Sequence, residues 1–225
     1  MSRYHWFLSI AFAAVWILTA INPLHRDAWL LENILVIAFV PVLLIAGRYF
    51  KLSDLSYTLI VAFLMMHLVG AHWTYGEVPF GFTMGDWMGT DRNMYDRLLH
   101  FSFGLLLAYP IREMFQRVSG ARGFWGYYLP LDIVLSFSAI YEILEWIALL
   151  VVDTNAGTLF LAHQGDIFDP AKDMASAFVG ALIAMLIVLV LNLIFNKDTR
   201  QEVKESFRIE YEKPQGRRRF RDVIR

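Results

Sequence analysis

The stretch YDRLLHFSFG, residues 95–104, sets Asp96, Arg97 and His100 within five positions of an otherwise apolar segment. Asp96 and His100 are four residues apart, so on a helix they share a face, which Gly104 and Ala108 continue. Further along, SFSAIYEILEW carries Glu142 and Glu145 at a spacing of three, with Ser138 one turn earlier. Asp173 begins a face that runs on through Ala177, Gly180, Ala181 and Ala184, and His67 stands beside Gly70 and Ala71. Imidazole nitrogens and carboxylate oxygens are the donors that a divalent ion such as Zn, Mn or Mg takes, and di-metal carboxylate bundles present Glu and His at comparable helical spacings. The candidate metal ligands are therefore His100, Glu142, Glu145, Asp173 and His67. The candidate catalytic groups are Asp96, Arg97, His100, Glu142 and Glu145, the carboxylates and imidazole acting in proton transfer and the planar fork of Arg97 meeting an anionic group such as phosphate. The same residues also suit a structural polar core, in which Arg97 neutralises Asp96 or a glutamate on a neighbouring helix.

The elements that must position these groups follow from composition. The 225-residue chain is 57% hydrophobic and 18% charged, with seven Trp, which belongs to a membrane protein. It has no cysteine, so disulfides and thiolate metal sites are excluded. Since a spanning helix needs roughly 20 apolar residues, six spans are expected, at about 5–22, 30–49, 56–74, 94–115, 130–152 and 171–195. The fold class is all-α: a polytopic bundle of six transmembrane helices occupying 1–196, followed by a charged tail, 197–225. The first segment ends in TAINPLHRD without a small-residue cleavage site and reads as an uncleaved anchor.

Short cytoplasmic loops retain Lys and Arg. Arg3, Arg48, Lys51, Arg112, Arg117, Arg122 and the tail fall on one side of the six spans, against Arg26, Arg92, Arg97 and Lys172 on the other, so both termini are expected in the cytoplasm. The opposite side then carries two acidic loops, 73–93 and 153–170, the first with the glycines and aromatics of a lid. The tail holds half of all Lys and Arg and ends in an Arg cluster, expected to set orientation and attract anionic headgroups rather than nucleic acid.

Charges within a span cost about 2.5–3.5 kcal/mol each on insertion scales and persist only with a partner or a task. At a rise of about 1.5 Å per residue, His100, Glu142, Glu145, Asp173 and His67 fall in one layer, some 5–15 Å below the non-cytoplasmic surface. Small residues lie on the same faces, and close packing of Gly, Ala and Ser is what draws helices together in lipid. The fourth, fifth and sixth spans are thus expected to meet at that layer. Asp169 before Pro170 reads as an N-cap, and Asp132 after Pro130 as a first-turn acid. His163 and Asp166 read as loop residues that keep the outer face soluble or add ligands, and His67 also suits a structural interhelical contact. Trp6, Trp29, Trp73 and Trp125 read as interface anchors, and Trp146 either faces lipid or walls the site. No GxxxxGK[ST], HExxH, GxSxG or CxxC is present.

YDRLLHFSFG, YEILEW and GDIFDPAKDMASAFVGALIA, taken with six spans and a charged tail, closely resemble the YjdF-type bacterial inner-membrane proteins over nearly the whole chain. The order of DxxxH, a glutamate-bearing helix and an Asp before a small-residue helix is also similar to VanZ-like membrane proteins, over the last three spans. The chain departs from that second pattern at Trp146 and Met174, so no glycopeptide-resistance role is carried over. The resemblance implies a multi-pass protein of the bacterial inner membrane whose outer polar cluster is its functional centre. The leading expectation is a divalent-metal-dependent enzyme, acting by hydrolysis or group transfer on a lipid-linked or anionic cell-envelope substrate. A proton- or cation-coupled transporter and a non-catalytic scaffold are the alternatives; the partner implied in every case is the lipid bilayer, and no oligomeric state is implied.

Overall fold

The computed structural model describes residues 2–151, 164–195 and 198–208. Every regular element among the described residues is a helix: α1 (Arg3–Ala20), α2 (Arg26–Tyr49), α3 (Asp54–Trp73), a 3-10 turn (Tyr75–Glu77), α4 (Pro79–Met88), α5 (Tyr95–Val118), α6 (Gly123–Val151), α7 (Asp169–Phe195) and α8 (Thr199–Glu205). Long helices occupy all six apolar stretches of the sequence. Four of them, α2, α3, α6 and α7, are by length and composition alone able to cross a membrane. Their outer faces fit that environment, because large apolar side chains such as Ile37, Leu44, Leu144, Ile187 and Ile194 stand more than half exposed, a surface that soluble monomers rarely present.

α5 is the central element, packed against α3, α6 and α7. On one side Leu99 and Leu107 meet Ile60, Phe63 and Leu64 of α3. On the other, Ala108, Val134, Ala177, Ala181 and Met185 form the second core cluster with α6 and α7. The α5–α7 seam is glycine-dependent in both directions: a Cβ on Gly104 would overlap the Ala177 carbonyl oxygen, and one on Gly180 would overlap that of Phe101. With no hydrophobic force between helices in lipid, such backbone approach is what gives the pair its dispersion energy.

Two expectations change. Asp132 does not open a helix, because α6 begins at Gly123 and runs through Pro130. A proline removes one i→i−4 bond, which a long membrane helix tolerates when its neighbours pack well, and Asp132 instead bonds the Tyr128 hydroxyl. The 73–93 segment is not an open loop. It folds into the 3-10 turn and α4, which ends at Gly89 in the left-handed region, and its glycines permit close packing: a Cβ on Gly81 would overlap Asn93, and one on Gly85 the Arg92 carbonyl.

Hydrogen bonds sort the helix ends into two sets. His5 bonds Asp54, Ser53 bonds Glu113, and Phe124 bonds Ser206, so the starts of α1 and α3, the end of α5, the start of α6 and α8 share one end of the bundle. At the other end the Leu24 amide reaches the His72 carbonyl and Asn93 joins Gln164. The Arg cluster at 217–219, His163 and most of the 153–170 loop lie outside the described residues.

Candidate functional site

The site is built at the second end, where α5 and α7 begin. Asn93, fully buried, fixes the start of α5: its Oδ1 accepts from the Tyr95 amide at 3.0 Å and its Nδ2 donates to the Val78 carbonyl at 2.8 Å. Gln164 brackets the same residue, accepting from the Asn93 amide at 2.8 Å and donating to its carbonyl at 3.0 Å. The turn carrying the chain into α7 is thereby tied to the start of α5, and Asp96, Asp169 and Asp173 converge. One carboxylate oxygen from each lies within 4.8 Å of the others, and all three side chains are buried.

His100 sits next to this triad, one turn below Asp96. Its Nε2 is 3.7 Å from Asp96 Oδ1 and 3.4 Å from Glu142 Oε1, while Nδ1 is 3.2 Å from the Ser138 hydroxyl of α6. Glu145, one turn along α6 from Glu142, is 2% exposed. Four buried carboxylate oxygens on α5, α6 and α7 have no hydrogen-bond partner among the described residues: Asp96 Oδ1 and Glu142 Oε1, which flank His100, and Glu145 Oε1 and Asp173 Oδ1. An ionised carboxylate held this way loses hydration without compensation.

Arginine meets the acids at the rim. Arg97 donates to Asp166 and to Asp169, each at 2.9 Å, and its Nε lies 3.7 Å from Asp173. Arg92 pairs with both oxygens of Asp169. Arg97 therefore does not neutralise Asp96 or a glutamate, because its side chain leads outward to the acids at the start of α7. Asp169 is not chiefly a cap, since its carboxylate receives two guanidinium groups. Asp166 takes the turn-forming role, accepting from the Phe168 amide at 3.1 Å, and it is held at 2.6 Å by Lys172. The Lys172 ammonium, with the Phe168 amide and Arg97, holds the Asp166 carboxyl down at about 2. Six carboxyl groups, Asp96, Glu142, Glu145, Asp166, Asp169 and Asp173, thus face three fixed cations, Arg92, Arg97 and Lys172. The surplus negative charge is concentrated inward, around His100, and needs protons or a bound cation.

Of the sequence candidates, Asp96, His100, Glu142, Glu145 and Asp173 share this layer, with Arg97 at its outer edge. His67 is placed elsewhere. Its Nε2 lies 3.1 Å from the Glu32 carbonyl and its Nδ1 2.6 Å from the Tyr75 hydroxyl, so both ring nitrogens are engaged in joining α3 to α2 and to the 3-10 turn. Trp146 is 58% exposed and faces away from the site. Sequence reasoning missed Glu32, which is buried on α2 and accepts from the Tyr141 hydroxyl at 3.0 Å. The signal was present, as an acid in the middle of LLENILVIAF.

Residues 4–193 match a family described as predicted membrane protein (DUF2238). The chain is 38% identical over 175 residues to the inner membrane protein YjdF of Escherichia coli (strain K12), an alignment covering 77% of this chain and 83% of that one. No solved structure matches the chain. The three segments that assemble the acid layer all lie within the matched range, and the chain belongs to the DUF2238 family of membrane proteins, a relative of YjdF located in the bacterial inner membrane.

Proposed function

We propose that the protein binds a divalent cation, Zn, Mn or Mg, in the layer formed by Asp96, His100, Glu142, Glu145 and Asp173, and that it uses the cation in hydrolysis or group transfer on a lipid-linked or other anionic envelope substrate. The observation that carries this reading is that Asp96, Glu142, Glu145 and Asp173, from three different helices, each bury a carboxylate oxygen with no hydrogen-bond partner among the described residues, the first two of them beside the His100 imidazole. A purely structural polar core would pair its acids, because each unpaired buried charge costs several kcal/mol, of order 3–5 where a partner is removed. Oxygen donors with one imidazole suit a hard or borderline cation. Bound there, the cation would supply Lewis-acid polarisation of the substrate. Among the protein's own groups, Glu145, which forms no ion pair with an arginine among the described residues, would accept the proton. Arg97, tethered by Asp166 and Asp169, would meet the anionic group at the entrance.

In this reading the six long helices all span the membrane. The end bearing Arg48, Lys51, Arg117 and α8 faces the cytoplasm, and the acid layer opens to the opposite side.

One observation favours a second reading, proton- or cation-coupled transport. Buried Glu32 is joined to Tyr141, whose ring packs edge-on to His100 with centroids 5.8 Å apart, so titratable groups extend from α7 across to α2. The test separates the two. Protein purified in mild detergent is analysed for bound metals, beside His100→Ala and Glu145→Ala. Stoichiometric metal in the wild type, lost in both variants, is the result expected. Metal-free wild type that takes up cations into liposomes against a proton gradient would replace enzyme by transporter. Metal-free wild type without uptake would overturn both and leave a scaffold.

A further inference from the structure

The opposite end of the bundle carries a second feature. α8 is a short helix fastened over the start of α6. The Ser206 hydroxyl accepts from the Phe124 amide at 2.9 Å, the Trp125 indole donates to the Ser206 carbonyl at 3.2 Å, and the Phe207 ring lies 5.0 Å from that of Phe124. Gly123, at φ +54°, is needed for this approach, because a Cβ there would overlap the Ser206 hydroxyl. On the α7 side, buried Thr199 donates to the Asn192 carbonyl at 3.3 Å, and Asn192 donates to the Tyr127 hydroxyl at 2.8 Å. The bridge leaves a slot of about 540 Å³ between α6, α7 and α8. Its walls are leucine and aromatic side chains, and Arg200 and Lys204 close one end.

Arg200 and Lys204 are four residues apart, hence on one face of α8. Both are exposed, and neither forms an ion pair among the described residues. The neighbouring acid Glu205 is instead bonded to Gln201 at 2.8 Å. An apolar channel running along two membrane helices and ending under two cations that have no ion-pair partner among the described residues has the chemistry of a lipid: acyl carbons below, phosphate above. A zwitterionic headgroup would place its own ammonium among these cations, whereas an anionic one adds only negative charge.

We propose that this slot binds one anionic phospholipid from the leaflet on the α8 side, its chain against Leu131, Leu182, Leu186 and Leu189 and its phosphate on Arg200 and Lys204. The site is separate from the acid layer and does not depend on the function assigned there. It fixes where α8 sits relative to the membrane surface, so lipid occupancy steadies the junction between bundle and tail.

The test is native mass spectrometry of the full chain in mild detergent, titrated with phosphatidylglycerol and, in parallel, with phosphatidylcholine of the same chains. The wild type is expected to retain phosphatidylglycerol about thirtyfold more readily, from two surface cations worth roughly 1 kcal/mol each. The Arg200→Gln, Lys204→Gln double variant, altered only at exposed positions, should lose that preference. Leu186→Trp should lower retention of both lipids by filling the slot; its folding is checked by thermal unfolding. Equal retention of the two lipids by the wild type, or an unchanged preference in the double variant, would overturn the assignment and identify an adventitious lipid film.

Discussion

Two glutamates, Glu113 and Glu145, are both buried, 8% and 2% exposed, and lie at opposite ends of the same bundle, yet their surroundings differ completely. Glu113 accepts from the Ser53 amide at 2.9 Å, from the Ser53 and Ser56 hydroxyls at 2.8 and 2.6 Å, and from Arg117 at 2.6 Å. Its carboxylate caps the start of α3 and locks α5 to it. Glu145 is 2% exposed and has one oxygen with no hydrogen-bond partner among the described residues, as do Glu142, Asp96 and Asp173. A buried acid that stabilises is surrounded by donors. One surrounded by other acids is maintained at a cost and has another use. The His67 contact falls on the Glu113 side of this division, with both nitrogens bonded.

The comparison can be broken in several places. The largest effect is expected where both ends share support: Gly104→Leu or Gly180→Leu would force α5 and α7 apart, costing about 3 kcal/mol or more and emptying the acid layer of any cation, measured by unfolding in detergent and by metal content. Glu113→Ala would strand the Ser53 amide and the Ser56 hydroxyl, costing about 2 kcal/mol with metal content unchanged. A variant as stable as wild type would show that the paired end does not hold the helices. Tyr75→Phe removes one hydrogen bond to His67 and should cost about 1 kcal/mol, again without touching metal.

Glu145→Gln should go the other way. Removing a surplus charge is expected to leave stability within about 1 kcal/mol of wild type, or raise it, while metal binding falls. A strongly destabilised Glu145→Gln would make the two glutamates alike and remove the contrast. The smallest effect concerns the rim. The Asp166 carboxyl, held at about 2 against its ordinary 3.8, contributes stability that is fully present above about pH 4 and is lost as pH falls through 2. Wild type and Lys172→Ala should therefore unfold alike near pH 2 and diverge as pH rises to 4, beyond which the gap stays constant.

The division between ends also marks what could be read in the sequence. Spans announce themselves by length and apolarity, so the long helices and the inward faces of Asp96, His100, Glu142, Glu145 and Asp173 follow from spacing alone. The start of α6 did not, because Pro130 suggests a boundary that neighbouring helices override. The arginine pairing was also hidden. Arg92 and Asp169 are 77 residues apart, and the packing of α5 on α7 with the Asn93–Gln164 clasp brings the two chain segments together. Glu113 was passed over because an acid near Arg117 at a span end looks like an ordinary surface pair, and its serine partners belong to a different helix.

The central claim is that the acid layer holds a cation, and ligand-linked stability tests it most directly. After chelation, protein is unfolded thermally with and without Zn, Mn or Mg, beside Asp173→Asn. A cation present at a hundred times its dissociation constant should stabilise the wild type by about 2.7 kcal/mol and leave Asp173→Asn unmoved. Identical unfolding of the stripped wild type with and without each of the three ions would contradict the account.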